Sequence, residues 1–364
     1  MRQTLKVIAI NAAVLVGGVL LVELGFRVAV EGYSDDRSFR ATQPPPYQSA
    51  AFFSQEFIDE SFRQPGGWRP LQGTNAIVPF DFHGKYYNVD DGVRRTTDVP
   101  PGATANIYLF GGSTIYDSEV PDEHTIASYL QRKLVAAGYA GYRVVNFGVT
   151  SVSTQQQLER LAQTELVAGD TVVFYDGVND VLQGVLYGNA GDTIYGNDKS
   201  RPLRQKVLYR LSKRSVAMRY LLARANANYR IAHLDERVTL TAARYRDNLE
   251  RAESLATAQG ASFVHFLQPT LYSLARRGEY ENKLLTFGFV PVQAEEAFVA
   301  TYPELAKVAH RRAHEHGAEF DLTAIFDGLE EPVYFDGWHI NHRGNEVVAE
   351  HLFAALVARG LVVQ

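Results

Sequence analysis

No cysteine occurs anywhere in the 364 residues of this chain. That excludes disulfides, thiolate metal sites and a cysteine nucleophile. It does not choose a compartment, because a chain of this length can bury a large core without covalent staples. Nor does charge of one sign dominate: 36 Lys and Arg stand against 41 Asp and Glu, a formal net charge of −5. So mild a balance argues against general nucleic-acid binding. The sequence also lacks a glycine-rich phosphate loop, a recognisable nucleic-acid module and any internal repeat, and no cofactor is expected. What it has is a 46% apolar share with 12% aromatics, the composition of a globular chain with a large core.

The amino terminus is distinctive. Arg2 and Lys6 precede an apolar run from Val7 to Val22, which continues beyond Glu23 and Arg27 to Val30. About 20 apolar residues cross a bilayer's hydrocarbon, so the run is marginal up to Glu23 and sufficient if it reaches Val30. The leading positive residues predict the amino terminus in the cytoplasm and the body of the protein outside. Residues 1–32 therefore read as an N-terminal transmembrane anchor, with a cleaved signal peptide or a buried helix as the competing readings. Residues 33–104 read as a juxtamembrane linker, broken at Pro44-Pro45-Pro46 and Gln64-Pro65-Gly66-Gly67, followed by a small β hairpin within 76–97.

From residue 105 onwards, apolar strands alternate with amphipathic helices, the pattern of an α/β domain with a parallel sheet. About five strands are predicted, at 106–110, 142–149, 171–175, 262–267 and 319–326. Helices are predicted near 124–137, 154–166, 239–259 and 344–358. Insertions near 182–240 and 273–292 break the rhythm. The first contains a basic stretch from Arg201 to Arg230 without a single acid, suited to anionic lipid or an acidic glycan, or simply a solvated helix face.

Four segments could carry chemistry. Gly111-Gly112-Ser113-Thr114 follows the first strand and places a hydroxyl at the carboxyl edge of the sheet, where α/β proteins build their sites. Asp336 and His339 lie three residues apart, a spacing that lets the carboxylate fix the imidazole tautomer and leave Nε2 for a serine. Gly148 and Asn179 end the second and third strands and offer a backbone N–H and a side-chain amide to an oxyanion. Each segment, taken singly, is also an ordinary turn or cap. His310, His314 and His316 cluster near a helix end, but a zinc site needs three protein ligands and an open position. No convincing third ligand is apparent, so no metal is expected. His342 and Arg343 either line the pocket or cap the last helix.

Taken in order, Ser113, Gly148, Asn179 and His339 resemble the four signature blocks of the SGNH (GDSL-like) hydrolase superfamily. Membrane-anchored bacterial members with a Gly-Gly-Ser-Thr first block are similar. The resemblance covers about 107–352 and implies a flavodoxin-like three-layer α/β/α fold. It implies Ser113 as nucleophile, His339 as base and Asp336 as its orienter, with Ser113 N–H, Gly148 N–H and the Asn179 amide as oxyanion hole. Two positions depart from the pattern: Gly112 stands where the family has aspartate, and Ser151 where a further glycine is usual. The activity expected is an extracytoplasmic serine ester hydrolase acting on an acylated, O-acetylated carbohydrate. The alternatives are an O-acyltransferase on an envelope polysaccharide, a lipid esterase, or a non-catalytic glycan-binding protein on the same scaffold.

Overall fold

The structure, a computed structural model, describes residues 2–29, 40–64, 68–71, 73–74, 76–188, 215–218, 230–286, 293–316 and 320–363. Residues 189–214 and 219–229 of the first insertion, which include most of the basic stretch, and residues 287–292 of the second lie outside the described residues, as do the side chains of His314 and His316.

The N-terminal run is one helix, α1 (Arg2–Ala29), with Ile10, Val14, Leu15 and Leu21 exposed. The expected membrane span is not shown by the described residues. Among the described residues no helix is long and apolar enough to cross a membrane. Glu23 stands within the apolar run of α1. Its carboxylate accepts hydrogen bonds from Ser215 Oγ (2.7 Å) and from the N–H groups of Val216 (2.8 Å) and Ala217 (3.2 Å).

The segment expected as a linker contains a helix, α2 (Gln55–Arg63), capped by Ser54 Oγ, which accepts the Phe57 N–H at 3.1 Å. Tyr47, Phe57, Ile58, Tyr87 and Phe335 form a second apolar cluster that ties this segment to the body. Two short strands, β1 (Trp68–Pro70) and β2 (Ile77–Pro79), pair on their own. The next three, β3 (Phe82–His83), β4 (Asn88–Asp90) and β5 (Val93–Arg94), form an antiparallel meander.

The parallel strands are β6 (Ala105–Gly111), β7 (Tyr142–Gly148), β8 (Thr171–Asp176) and β9 (Ser262–Leu267). Every residue of β8 is buried, the mark of a central strand covered on both faces. The sheet order is β3-β4-β5-β7-β6-β8-β9, so the expected five-stranded parallel sheet is a seven-stranded mixed one. The difference arises because Arg94 of β5 pairs antiparallel with Asn146 of β7, and the meander extends the sheet instead of standing apart. The expected fifth strand is reduced to a parallel bridge between Leu267 and Asp321. Within the parallel part, the order second, first, third, fourth is that of a flavodoxin-like fold.

Three short helices, α3 (Ser113–Tyr116), α6 (Val178–Val181) and α8 (Glu279–Thr286), sit in the connections. Among the longer ones, α4 (Ile126–Ala136) and α10 (His342–Ala358) pack on each other. The others, α5 (Thr154–Leu161), α7 (Leu234–Ala258) and α9 (Ala294–His316), pack together, and the two groups flank the sheet. Thr125 caps α4, its Oγ1 accepting the Ser128 N–H at 3.2 Å. Asn341 caps α10 in the same way through Gly344 N–H (2.9 Å). Asn341 thereby stops the loop that carries His339 and starts the helix that anchors it.

Candidate active site

The topological switch point falls between β6 and β8, where ligand crevices form in open α/β sheets. Ser113 follows β6 there and opens the single turn of α3. Asp117 closes the turn in the left-handed region (φ 59°), its N–H donating to Ser113 O at 2.7 Å. Two glycines allow this turn to nestle against its neighbours. A β-carbon on Gly148 would collide with the backbone of Ile115 and Tyr116, and one on Gly112 with Nδ2 of Asn179.

The loop that carries Asp336 and His339 is a tight antiparallel excursion. Asn341 N–H donates to Val333 O and Phe335 N–H to His339 O, both at 2.8 Å. Inside it, Asp336 Oδ1 accepts the N–H groups of Trp338 and His339, each at 2.9 Å. Its Oδ2 lies 2.5 Å from His339 Nδ1, and His339 Nε2 lies 2.7 Å from Ser113 Oγ. The carboxylate makes Nδ1 the protonated nitrogen of the neutral ring, leaving Nε2 to accept from the serine. Ser113, Asp336 and His339, 226 residues apart at the extremes, form one continuous hydrogen-bonded chain.

The electrostatics favour a charged imidazolium. Burial pushes the His339 pKa down, but Asp336 and Glu119 outweigh it and raise the value to about 9. Burial likewise pushes the Asp336 carboxyl up. The imidazolium and the N–H groups of Trp338 and His339 more than reverse this, holding the carboxyl below the usual range.

The expected oxyanion donors divide. Asn179 lies in α6, and its amide rests over Gly112. Ser113 N–H stands at the first turn of a helix, where no intrahelical acceptor exists. Gly148 N–H, by contrast, donates to Asn146 Oδ1 at 2.9 Å. In this structure the Gly148 N–H is thus engaged by a side chain of its own strand. What the position supplies is the missing β-carbon.

Other expectations resolve away from the site. Asp180 is buried and accepts the Thr154 hydroxyl at 2.5 Å, bracing α6 against α5; burial lifts its pKa to about 6. His310 pairs with Asp321 at 2.8 Å, and among the described residues no group of three His, Asp or Glu is arranged to hold a metal. His342 packs its ring against Phe52 and His124, and Arg343 pairs with Glu346 at 2.6 Å.

Sequence reasoning missed the residues that support the serine turn. Arg94 is 1% exposed, and its guanidinium donates to the carbonyls of Tyr116, Asp117 and Val120 and to Asp122 Oδ1. Arg40 pairs with Glu119 at 2.7 Å, and Asn345 of α10 donates to Asp117. No local pattern marks these residues, because each partner is distant in the chain.

Beside the loop of Asp336 and His339, residues 274–281 and 326–334 wall a cleft of about 530 Å³ that includes Arg276, Tyr280, Asp327, Glu330 and Tyr334. Half-buried Trp338 stacks on Phe298 (centroids 5.7 Å apart, planes at 18°), which stacks in turn on Tyr272.

No protein-family profile matches the chain, and no curated protein matches it in sequence. Among solved structures it is similar to a member of the lipolytic G-D-S-L family from Veillonella parvula, at 14% identity over 70% of this chain and 99% of the other, with a TM-score of 0.42. It is also similar to a carbohydrate acetylesterase family member from Sinorhizobium meliloti (15% identity, 71% and 99% covered, TM-score 0.40). A third likeness is to the lipase/acylhydrolase from Enterococcus faecalis (17%, 70% and 97%, TM-score 0.37). These likenesses are of chain trace and bring no residue role with them.

Proposed function

We propose that this protein is a serine ester hydrolase working through an acyl-enzyme. The observation that carries the reading is the unbroken Asp336–His339–Ser113 chain, at 2.5 and 2.7 Å, at the switch point of the sheet. Ser113 Oγ attacks the acyl carbon while His339 Nε2 takes its proton, and Asp336 stabilises the resulting imidazolium. Ser113 N–H and the Asn179 amide hold the oxygen that becomes negative. Collapse of the tetrahedral species breaks the ester bond, with His339 returning the proton to the departing alcohol. Water then repeats the sequence, with His339 as base, and frees the acid and Ser113.

The substrate we propose is an acylated, most simply O-acetylated, carbohydrate. Two features support it. The cleft beside the catalytic loop carries charged and tyrosine side chains, which suit a hydroxylated ligand better than a fatty chain. Trp338 presents a large half-buried ring, backed by Phe298, next to the catalytic histidine, a surface on which the C–H face of a sugar packs. The location proposed is outside the cytoplasm, as the positive-then-apolar N-terminal sequence suggests.

A fluorophosphonate probe tests the reaction class. The wild-type protein labels and hydrolyses p-nitrophenyl acetate, while Ser113→Ala does neither. Absence of wild-type labelling, or labelling that survives in Ser113→Ala, overturns the assignment.

A further inference from the structure

The triad has a single acid in hydrogen-bond contact with its histidine, yet the chain buries a second one close by. Glu119 follows the serine turn and is 1% exposed. Its side chain is paired with Arg40 at 2.7 Å, and its carbonyl accepts the Tyr47 hydroxyl at 2.8 Å. Both partners come from the segment that precedes the sheet. The same segment grips the catalytic loop: Tyr47 lies 4.4 Å, ring to ring, from Phe335, the Arg40 guanidinium stands over Phe335, and Asn341 donates to Pro46 O at 2.9 Å. Glu119 is thus built in from one side by the turn that carries Ser113 and from the other by the segment that clasps the loop of His339.

Burying an ion pair is costly, and replacing one by apolar side chains is often no loss to stability. Here the charges facing His339 are Asp336 on its own loop, Asp117 and Glu119 after the serine turn, and Arg40 from the N-terminal segment. Burial and the nearby Glu119 push Asp117 well above the ordinary carboxylate range. Burial acts on Glu119 in the same direction, but Arg40 and the His339 imidazolium together hold it below that range. Of the two neighbouring acids, Glu119 is the one that stays charged.

Resting on the hydrolase reading above, we propose that Glu119, paired with Arg40 at 2.7 Å, is a positioning residue of the site: a second buried anion that stabilises the His339 imidazolium formed when Ser113 is deprotonated. The segment around residues 40–47 is accordingly part of the active site's machinery and not a spacer.

The test is Glu119→Gln in the full chain. The His339 imidazole is titrated by NMR with labelled histidine, its signal assigned by its loss in His339→Gln. Removing one opposite charge from a buried site lowers the imidazole pKa by about one unit or more. The acid limb of kcat/KM on p-nitrophenyl acetate moves to lower pH by the same amount, with a fall in kcat. A titration and limb that stay at the wild-type position, whatever the loss of kcat, mean that Glu119 only supports the fold, and overturn the proposal. If Glu119→Gln does not fold, the double variant Arg40→Met/Glu119→Leu serves, since replacing a buried ion pair by apolar side chains is often no loss to stability: the anion acts on His339 more strongly than the cation, so the imidazole titration still moves to lower pH, and an unmoved one overturns the proposal. The NMR readout needs no turnover, so a wild-type protein inert towards fluorophosphonate sinks the hydrolase reading while leaving this coupling measurable.

Discussion

The side-chain amide of Asn179 occupies the space that a β-carbon on Gly112 would need. The aspartate usual at this position in the family the sequence resembles therefore has no room here unless Asn179 moves. Gly112→Ala is expected to displace the amide from the oxyanion position. Loss of one such donor lowers kcat by roughly 10²–10³-fold, and Gly112→Asp is expected to be at least as damaging. Steady-state kinetics on p-nitrophenyl acetate check this, and an unchanged kcat in Gly112→Ala removes Asn179 from the oxyanion hole.

The raised pKa of His339 sets the direction of the pH dependence. The base works only when neutral, and its value of about 9 leaves most molecules protonated at neutrality. kcat/KM should therefore rise with pH through the neutral range, reach half its plateau near pH 9 and level off only above that. Asp336→Asn removes the charge and the tautomer control together. It should pull the limb to lower pH and cut kcat by about 10⁴-fold, as loss of an orienting carboxylate does elsewhere. A wild-type limb near the ordinary histidine value would mean that Asp336 and Glu119 do not outweigh the burial of the ring.

Arg94 offers a stability test away from the reacting atoms. Arg94→Met removes the cation paired with the Asp122 carboxylate, leaving it the hydrogen bonds from Asn88, and takes the guanidinium donor from three carbonyls around the serine turn. Removing one partner of a buried pair costs about 3–5 kcal/mol, and denaturant unfolding monitored by circular dichroism should show a loss of this order. A change below about 1 kcal/mol, the scale of exposed pairs, would mean that the turn is held by other contacts.

Trp338 is where the substrate proposal is most exposed. Trp338→Ala should lower kcat/KM for an acetylated oligosaccharide relative to that for p-nitrophenyl acetate by about tenfold, equivalent to about 1.4 kcal/mol. Trp338→Phe, which keeps a flat ring on Phe298, should recover most of the ratio. If the ratio is the same in all three proteins, the ring is not a sugar platform.

Much of the site was legible because its parts sit at predictable places. An apolar run of strand length that ends in Gly-Gly-Ser puts a hydroxyl at a sheet edge, and β9 (Ser262–Leu267) has the bounds its pattern predicts. An Asp three residues before a His, ahead of a helix cap, brings carboxylate and imidazole together locally. The antiparallel extension was not legible. β3 and β5 are two residues long, too short to carry a period, and only the pairing of Arg94 with Asn146 joins them to the main sheet. The region expected as a fifth strand, 319–326, has a strand-like composition, but its described residues make one bridge, since the partner edge ends at Leu267.

The turn at Gly111-Gly112-Ser113 shows where the division falls. Sequence by itself determined the glycines, the hydroxyl, and the order of Ser113, Asn179, Asp336 and His339 along an alternating α/β pattern, because these follow from local periodicity and spacing. Tertiary structure alone decided that Gly148 N–H is committed to Asn146, that Gly112 makes way for Asn179, and that Arg40 and Glu119 meet behind the triad. Those outcomes depend on which backbones approach within a few ångström and on which charges lose their water together. Both are properties of packed surfaces that no stretch of chain contains on its own.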